Sequence, residues 1–136
     1  MKSRFHVSND ISVAQTISSD FYTEKDVFEL SKEKIFSQSW QFICHKKELL
    51  EIAQYPFTFL KNFIDEPLVI TNQNKKIQCY SNVCTHRAHI VCLKKNNKST
   101  LHCRYHGRSF RLDGKLKNMP GFKGVKNFPS NNDNLH

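Results

Sequence analysis

The 136-residue chain lacks any run of about 18 apolar residues, the length needed to cross a bilayer, and its N-terminal MKSRFHVSND lacks the apolar core of a secretory signal. A cytoplasmic location is the resulting expectation, with no membrane partner. It also lacks an even complement of cysteines. Five Cys (44, 79, 84, 92 and 103) in a chain without an export signal argue against a disulfide framework and for metal binding or plain burial. Acidic side chains are scarce, 12 Asp and Glu against 21 Lys and Arg, giving a net charge of +9. The basic residues are mostly Lys scattered among Asn rather than gathered in a stripe. That distribution speaks against nucleic acid and leaves a lysine-rich surface or docking of an acidic redox partner.

The length suits one domain with an arm. Residues 1–20 are rich in Ser, Asn and Asp without a sustained period and read as an extended arm. Thr23-Glu-Lys-Asp26 fits a helix start, and Val27, Phe28, Leu30, Ile35, Phe36 and Trp40 recur at helical spacing, predicting one amphipathic helix over about 23–38. From Trp40 the texture changes to short apolar runs, WQFICH, PFTFLKNFI, PLVIT and KIQCYSNV, separated by turn residues. These predict an antiparallel β-domain. Ser99–His102 and Ser109–Leu116 add strands, the latter carrying an Asp113-Gly114 turn. Trp40 is expected in the core, and Cys44 and Cys79 as small buried hydrophobes.

One stretch concentrates chemistry. CTHRAHIVCLKKNNKSTLHCRYHG, residues 84–107, holds three Cys and four His on two loops between strands. Cys84 and His86 are separated by one residue, Cys103 and His106 by two, with 16 residues between the pairs. Zinc commonly takes two Cys and two His, but usually with both Cys in one half of the motif. Here each half is mixed, which suits a two-iron cluster with two Cys on one iron and two His on the other. His102 should face away from Cys103 in an extended segment. Cys92 and His89 lie on the first loop as supporting candidates, and Lys94-Lys95-Asn-Asn-Lys98 reads as a solvated turn or a contact for an acidic donor.

Cys-x-His, 16 residues, Cys-x-x-His-Gly resembles the Rieske signature. The resemblance implies a mainly β fold, a small antiparallel Rieske-type β-sandwich preceded by an N-terminal arm and one helix. It assigns Cys84 and Cys103 to one iron and His86 and His106 to the other as ligands of a 2Fe-2S cluster. It also implies a third loop over the cluster, for which Met119-Pro120-Gly121 is placed. The high-potential respiratory type carries a loop-tying disulfide where this chain has His89 and Tyr105. It also carries Ser and Tyr hydroxyls toward the cluster where this chain has Arg108 and Phe110. Their absence predicts a reduction potential near the low end of the Rieske range, about −150 mV.

FYTEKDVFELSKEKIFSQSWQFICHKKEL, SNVCTHR and CRYHGRSFRLDGKLKNMPGF are similar to the N-terminal part of ring-hydroxylating oxygenase α subunits. Arg108 and Ala88 depart from the Trp and Gly usual there. On this resemblance residues 1–40 form the arm and helix, 41–121 the Rieske domain, and 122–136 the start of a connection to a catalytic domain. The resemblance implies an oxidoreductase that takes electrons from a ferredoxin or flavin reductase and passes them to a mononuclear non-haem iron. The full-length protein would form a trimer-like homo-oligomer. No triad of two His and a carboxylate is visible in this chain, so no catalytic residue is expected in it; a stand-alone Rieske ferredoxin is the alternative, and a structural zinc module a third.

Overall fold

A computed structural model describes residues 5–136 and divides the chain into two units, Met1–Phe42 and Ile43–His136. The first contains α1 (Asp20–Thr23), α2 (Lys25–Lys34) and a 3-10 turn, Phe36–Gln38. The single helix expected over 23–38 is therefore interrupted. Glu24 is extended (φ −79°, ψ 132°) and is the N-cap of α2, while Thr23 ends α1 with its hydroxyl on the Ser19 carbonyl at 3.5 Å. The preceding Ser18 and Ser19 carbonyls already accept from the Phe21 and Tyr22 N–H groups, so the helical turn begins earlier than the Thr23 motif suggests. Phe5 meets Phe21 edge-on at 5.3 Å. No described residue of this unit is buried, and Trp40, expected in the core, is fully exposed.

The second unit opens with another departure. WQFICH forms no strand; instead His45 and Glu48 make a reciprocal capping box that starts α3 (Lys46–Leu49). Strands begin at β1 (Gln54–Phe59), followed by β2 (Glu66–Gln73) and β3 (Lys76–Ser81), an antiparallel sheet in sequence order. Asn74 and Lys75 turn the β2–β3 hairpin, both at positive φ (53° and 67°), as a two-residue connection requires. A second antiparallel sheet holds β4 (Thr100–His102), β5 (Ser109–Arg111) and β6 (Leu116–Asn118). The expected turn at Asp113-Gly114 joins β5 to β6, and Asp113 Oδ1 accepts from the Lys115 N–H at 3.1 Å. Gly114 has φ 77°, and a Cβ there would lie 2.6 Å from the Tyr80 ring. Glycine is needed at that crossing between the sheets.

The core lies between the two sheets: Val69 from the first, Leu101, Phe110 and Leu112 from the second, with Val91, Cys92 and Leu135. The Thr71 hydroxyl crosses it to donate to the Leu112 carbonyl at 2.7 Å. Mainly β architecture with two small antiparallel sheets agrees with the expectation from the sequence. Residues 122–136, expected to begin a connection, are bound to this unit: Leu135 enters the core, and the His136 carbonyl accepts from the Ser81 N–H at 2.6 Å. No helix among the described residues is long and apolar enough to cross a membrane.

Candidate metal centre

Two loops rise from the sheets, and the chain closes them the same way. In the first, after β3, Val83 and Ile90 form a bridge at the base. Inside it, the Cys84 N–H donates to the His89 carbonyl at 2.8 Å and the Ala88 N–H to the Cys84 carbonyl at 2.9 Å. In the second, between β4 and β5, the Cys103 N–H donates to the Arg108 carbonyl at 2.8 Å and the Gly107 N–H to the Cys103 carbonyl at 3.1 Å. Each turn starts at a cysteine, and the residue four places on has positive φ, 50° at Ala88 and 77° at Gly107. The sequence hides this repeat, because one loop closes on Ala and the other on Gly. Two cysteines followed at the same offset by a small residue are its only trace.

Closing the loops sorts the side chains by chemistry rather than by loop. Cys84 and Cys103 are both buried, 3% and 2% exposed, and belong to the same core cluster. The imidazoles of His86 and His106 meet edge to face with centroids 4.8 Å apart. His106 Nδ1 is buried without a hydrogen-bond partner. A buried polar atom so placed needs a partner, and imidazole nitrogen is a metal ligand. Two thiols on one side and two imidazoles on the other are the donor set of a two-iron cluster with mixed ligation, so these four residues fit such a group. Among the described residues no three His, Cys, Asp or Glu side chains gather around a single point, as one zinc ion would require.

Burial raises the Cys84 thiol, with the Cys103 partner adding to it, against the lowering pull of the His86 N–H. Without metal it is therefore a thiol, and loading must release its proton. The His86 imidazole is lowered, first by partial burial and then by the charges of His106, Arg108 and Arg87. It is thereby neutral, as a ligand must be, down to lower pH than an ordinary histidine.

The surroundings are set by residues of unequal legibility. Asn82, buried, fastens the first loop's exit: its side chain accepts from the Cys92 N–H and donates to the Cys92 carbonyl, both at 2.8 Å. His89 and Tyr105 face each other with rings 5.7 Å apart, and Tyr105 stacks on His106 at 3.8 Å. Pro120 lies against the second loop, since a Cβ on Gly107 would be 3.0 Å from Pro120 Cγ, and Met119 beside it is buried. His102 is exposed beside buried Cys103, as alternation requires. Cys79 is exposed and Cys44 half-buried, so neither is the buried hydrophobe expected, and all five cysteines are free. Cys79 points outward because its neighbour on β3, Tyr80, takes the inner face against Gly114 and the core.

Residues 39–129 match the Rieske [2Fe-2S] domain. The chain belongs to that family. Its matched span contains both loops and the Pro120 segment. The chain is similar to the carnitine monooxygenase oxygenase subunit of Escherichia coli (strain K12), 33% identical over 124 residues that cover 90% of this chain and 32% of the relative. It is also similar to the chloroplastic choline monooxygenase of Amaranthus tricolor, 37% identical over 101 residues covering 74% of this chain and 22% of that protein. Among solved structures, the apo form of the quaternary ammonium Rieske monooxygenase CntA superposes with a TM-score of 0.76 at 31% identity, covering 90% of this chain and 35% of that one. This Rieske chain thus spans about a third of the length of the carnitine monooxygenase subunit it matches.

Proposed function

We propose that the chain transfers electrons through a Rieske 2Fe-2S cluster held by Cys84, Cys103, His86 and His106, as the electron-transfer part of a Rieske oxygenase. The observation that carries the ligand assignment is the paired geometry: two thiols buried in one cluster, imidazoles 4.8 Å apart, and His106 Nδ1 buried without a partner. When bound, the cluster supplies reversible one-electron chemistry. The chain's own residues deprotonate to bind, hold the two ligand pairs at fixed spacing through the paired cysteine turns, and keep water from the sulfur side by burial. The half-buried imidazoles offer the outward route for the electron.

Oxygenase relatives support a donor among ferredoxins or flavin reductases and a mononuclear non-haem iron acceptor in a catalytic domain not represented in residues 1–136. They favour this reading over a stand-alone ferredoxin. Boundaries at 1–40, 41–121 and 122–136, and a trimer-like homo-oligomer for a full-length protein, belong to the same proposal. Donor chemistry is suggested by charge. No Asp or Glu occurs between Glu66 and Asp113, the segment containing both loops, while Arg87 and Arg104 are exposed beside the candidate ligands and Lys94, Lys95 and Lys98 lie between the loops. Such a field attracts and orients an acidic partner.

Anaerobic reconstitution of the chain with iron and sulfide tests the assignment. The expected product contains two irons and shows the low-temperature magnetic resonance spectrum of a reduced, histidine-ligated cluster; Cys84→Ser, Cys103→Ser and His106→Ala each lose it. Retention of an unchanged spectrum in any of the three, or a colourless zinc-containing product, would overturn it.

A further inference from the structure

The C-terminal segment is tied to the β-unit at several levels. Besides the His136–Ser81 bond, the Leu135 N–H donates to the Gly114 carbonyl at 2.8 Å, and the Leu116 N–H donates to Asn134 Oδ1 at 2.9 Å. One residue before them lies a crossing point. Asp133 Oδ1 accepts from Arg108 Nη2 at 3.0 Å, its Oδ2 accepts from the Ser130 N–H at 2.7 Å and hydroxyl at 2.9 Å, and its main-chain carbonyl accepts from the Thr85 hydroxyl at 2.8 Å. That same hydroxyl accepts from Arg108 Nη1 at 2.6 Å.

The geography of this network matters. Thr85 stands between Cys84 and His86, and Arg108 stands two residues after His106. A single guanidinium therefore joins the first loop, the second loop and the C-terminal segment. Its side chain is only 4% exposed, and its Nε is buried without a partner. Burying a cation with one carboxylate and an unsatisfied donor is expensive, so general stability is a poor reason for its presence. Arg108 also places a buried positive charge beside the centre, since Nη1 is bonded to the hydroxyl of Thr85, the residue between Cys84 and His86.

We propose that Arg108 is a positioning residue for the metal centre: with Thr85 and Asp133 it locks both cysteine turns to the C-terminal segment, and its buried charge sets the centre's reduction potential. The proposal rests on the ligand assignment above for its electrical half; the mechanical half stands on the network alone. Electrostatics fixes a sign. A buried cation favours adding an electron, so removing it lowers the midpoint, whereas removing the Asp133 charge leaves the cation uncompensated and raises it. A purely structural role would not move the two variants in opposite directions.

The test uses the full chain with Arg108→Gln, Arg108→Lys and Asp133→Asn. In reconstituted protein, Arg108→Gln should lower and Asp133→Asn raise the midpoint, each by up to about a tenfold change in the oxidised-to-reduced ratio, about 59 mV for one electron. Arg108→Lys should stay near the parent, because it keeps the charge. In metal-free protein, hydrogen exchange at the Cys84 and Ala88 amides should quicken in Asp133→Asn, although the substitution lies on another segment. Shifts of the same sign in Arg108→Gln and Asp133→Asn, or unchanged loop exchange in Asp133→Asn, would overturn the proposal. Should the parent chain take up no histidine-ligated cluster, the ligand assignment fails separately, and the exchange measurement still decides the locking role.

Discussion

Ala88 closes the first cysteine turn by donating its N–H to the Cys84 carbonyl at 2.9 Å, and it does so at φ 50°, in the left-handed region. Gly107 performs the same task for Cys103 at φ 77°. A side-chain-bearing residue in that region is strained by about 1–2 kcal/mol, part of which glycine gives back through a freer unfolded chain. Ala88→Gly should therefore stabilise the metal-free chain by about 0.5–1 kcal/mol. The mirror change, Gly107→Ala, meets both the strain and Pro120 Cγ at 3.0 Å, and should destabilise it. Denaturant unfolding of the two variants checks this; destabilisation by Ala88→Gly would show that the turns are not equivalent.

Phe110 is fully buried and pairs across the sheet with Leu101. Phe110→Tyr adds a hydroxyl where a cluster-directed donor is expected from the resemblance. In metal-free protein that hydroxyl has no solvent and should cost about 1–3 kcal/mol of stability. With the cluster present it should raise the midpoint. Voltammetry and unfolding on the same preparation measure both, and an unchanged midpoint would rule out hydrogen bonding as the reason for a low potential.

The parts of this molecule legible in the sequence are those governed by local rules. Cys84, His86, Cys103 and His106 are singled out as candidates by their spacing and the resemblance it carries, and the Asp113-Gly114 hairpin is legible from turn chemistry. Trp40 is exposed despite its apolarity, because apolarity says a residue can be buried, not that anything stands opposite it. WQFICH has a composition that suits a strand, yet His45 and Glu48, three residues apart, cap a helix and stop it. The Arg108–Asp133 pair joins residues 25 apart, and no local pattern announces such a partner. Likewise the C-terminal segment looks like loop from its composition, and only its single apolar residue near the end, Leu135, marks where it re-enters the core.

Asp133 gives the C-terminal segment an acid limit. Its carboxyl is held below the usual value, first by the Ser130 N–H, then by the Ser130 hydroxyl and Arg108. A carboxyl lowered in the folded state binds fewer protons there than in the unfolded chain, so its contribution is present above about pH 3.9 and lost as pH falls through the folded value. Exchange at the Leu135 amide should accelerate, relative to the intrinsic rate, as pH falls below about 4. Asp133→Asn should remove that acid-induced step and leave a faster, pH-insensitive opening. If the step survives the substitution, some other group controls the segment.

On the proposed electron-transfer role, charge around the loops predicts how an acidic donor would approach. Arg104 and Lys94 are exposed, lie in the acid-free segment, and line one shallow cleft with Lys98 and His102. Their side chains make none of the contacts that hold the cysteine turns, so reversing their charge leaves the candidate ligands in place. Long-range attraction acts over the Debye length, about 10 Å at 0.1 M salt and about 3 Å at 1 M. The double variant Lys94→Glu with Arg104→Glu should slow reduction by an acidic ferredoxin about tenfold at low salt, within the range that steering contributes to association rates. The deficit should shrink as salt rises, because the parent loses its advantage while the variant loses its repulsion. Stopped-flow reduction across a salt series, with a neutral chemical reductant as control, reads this directly. Equal rates for parent and variant at low salt would place donor docking on another face.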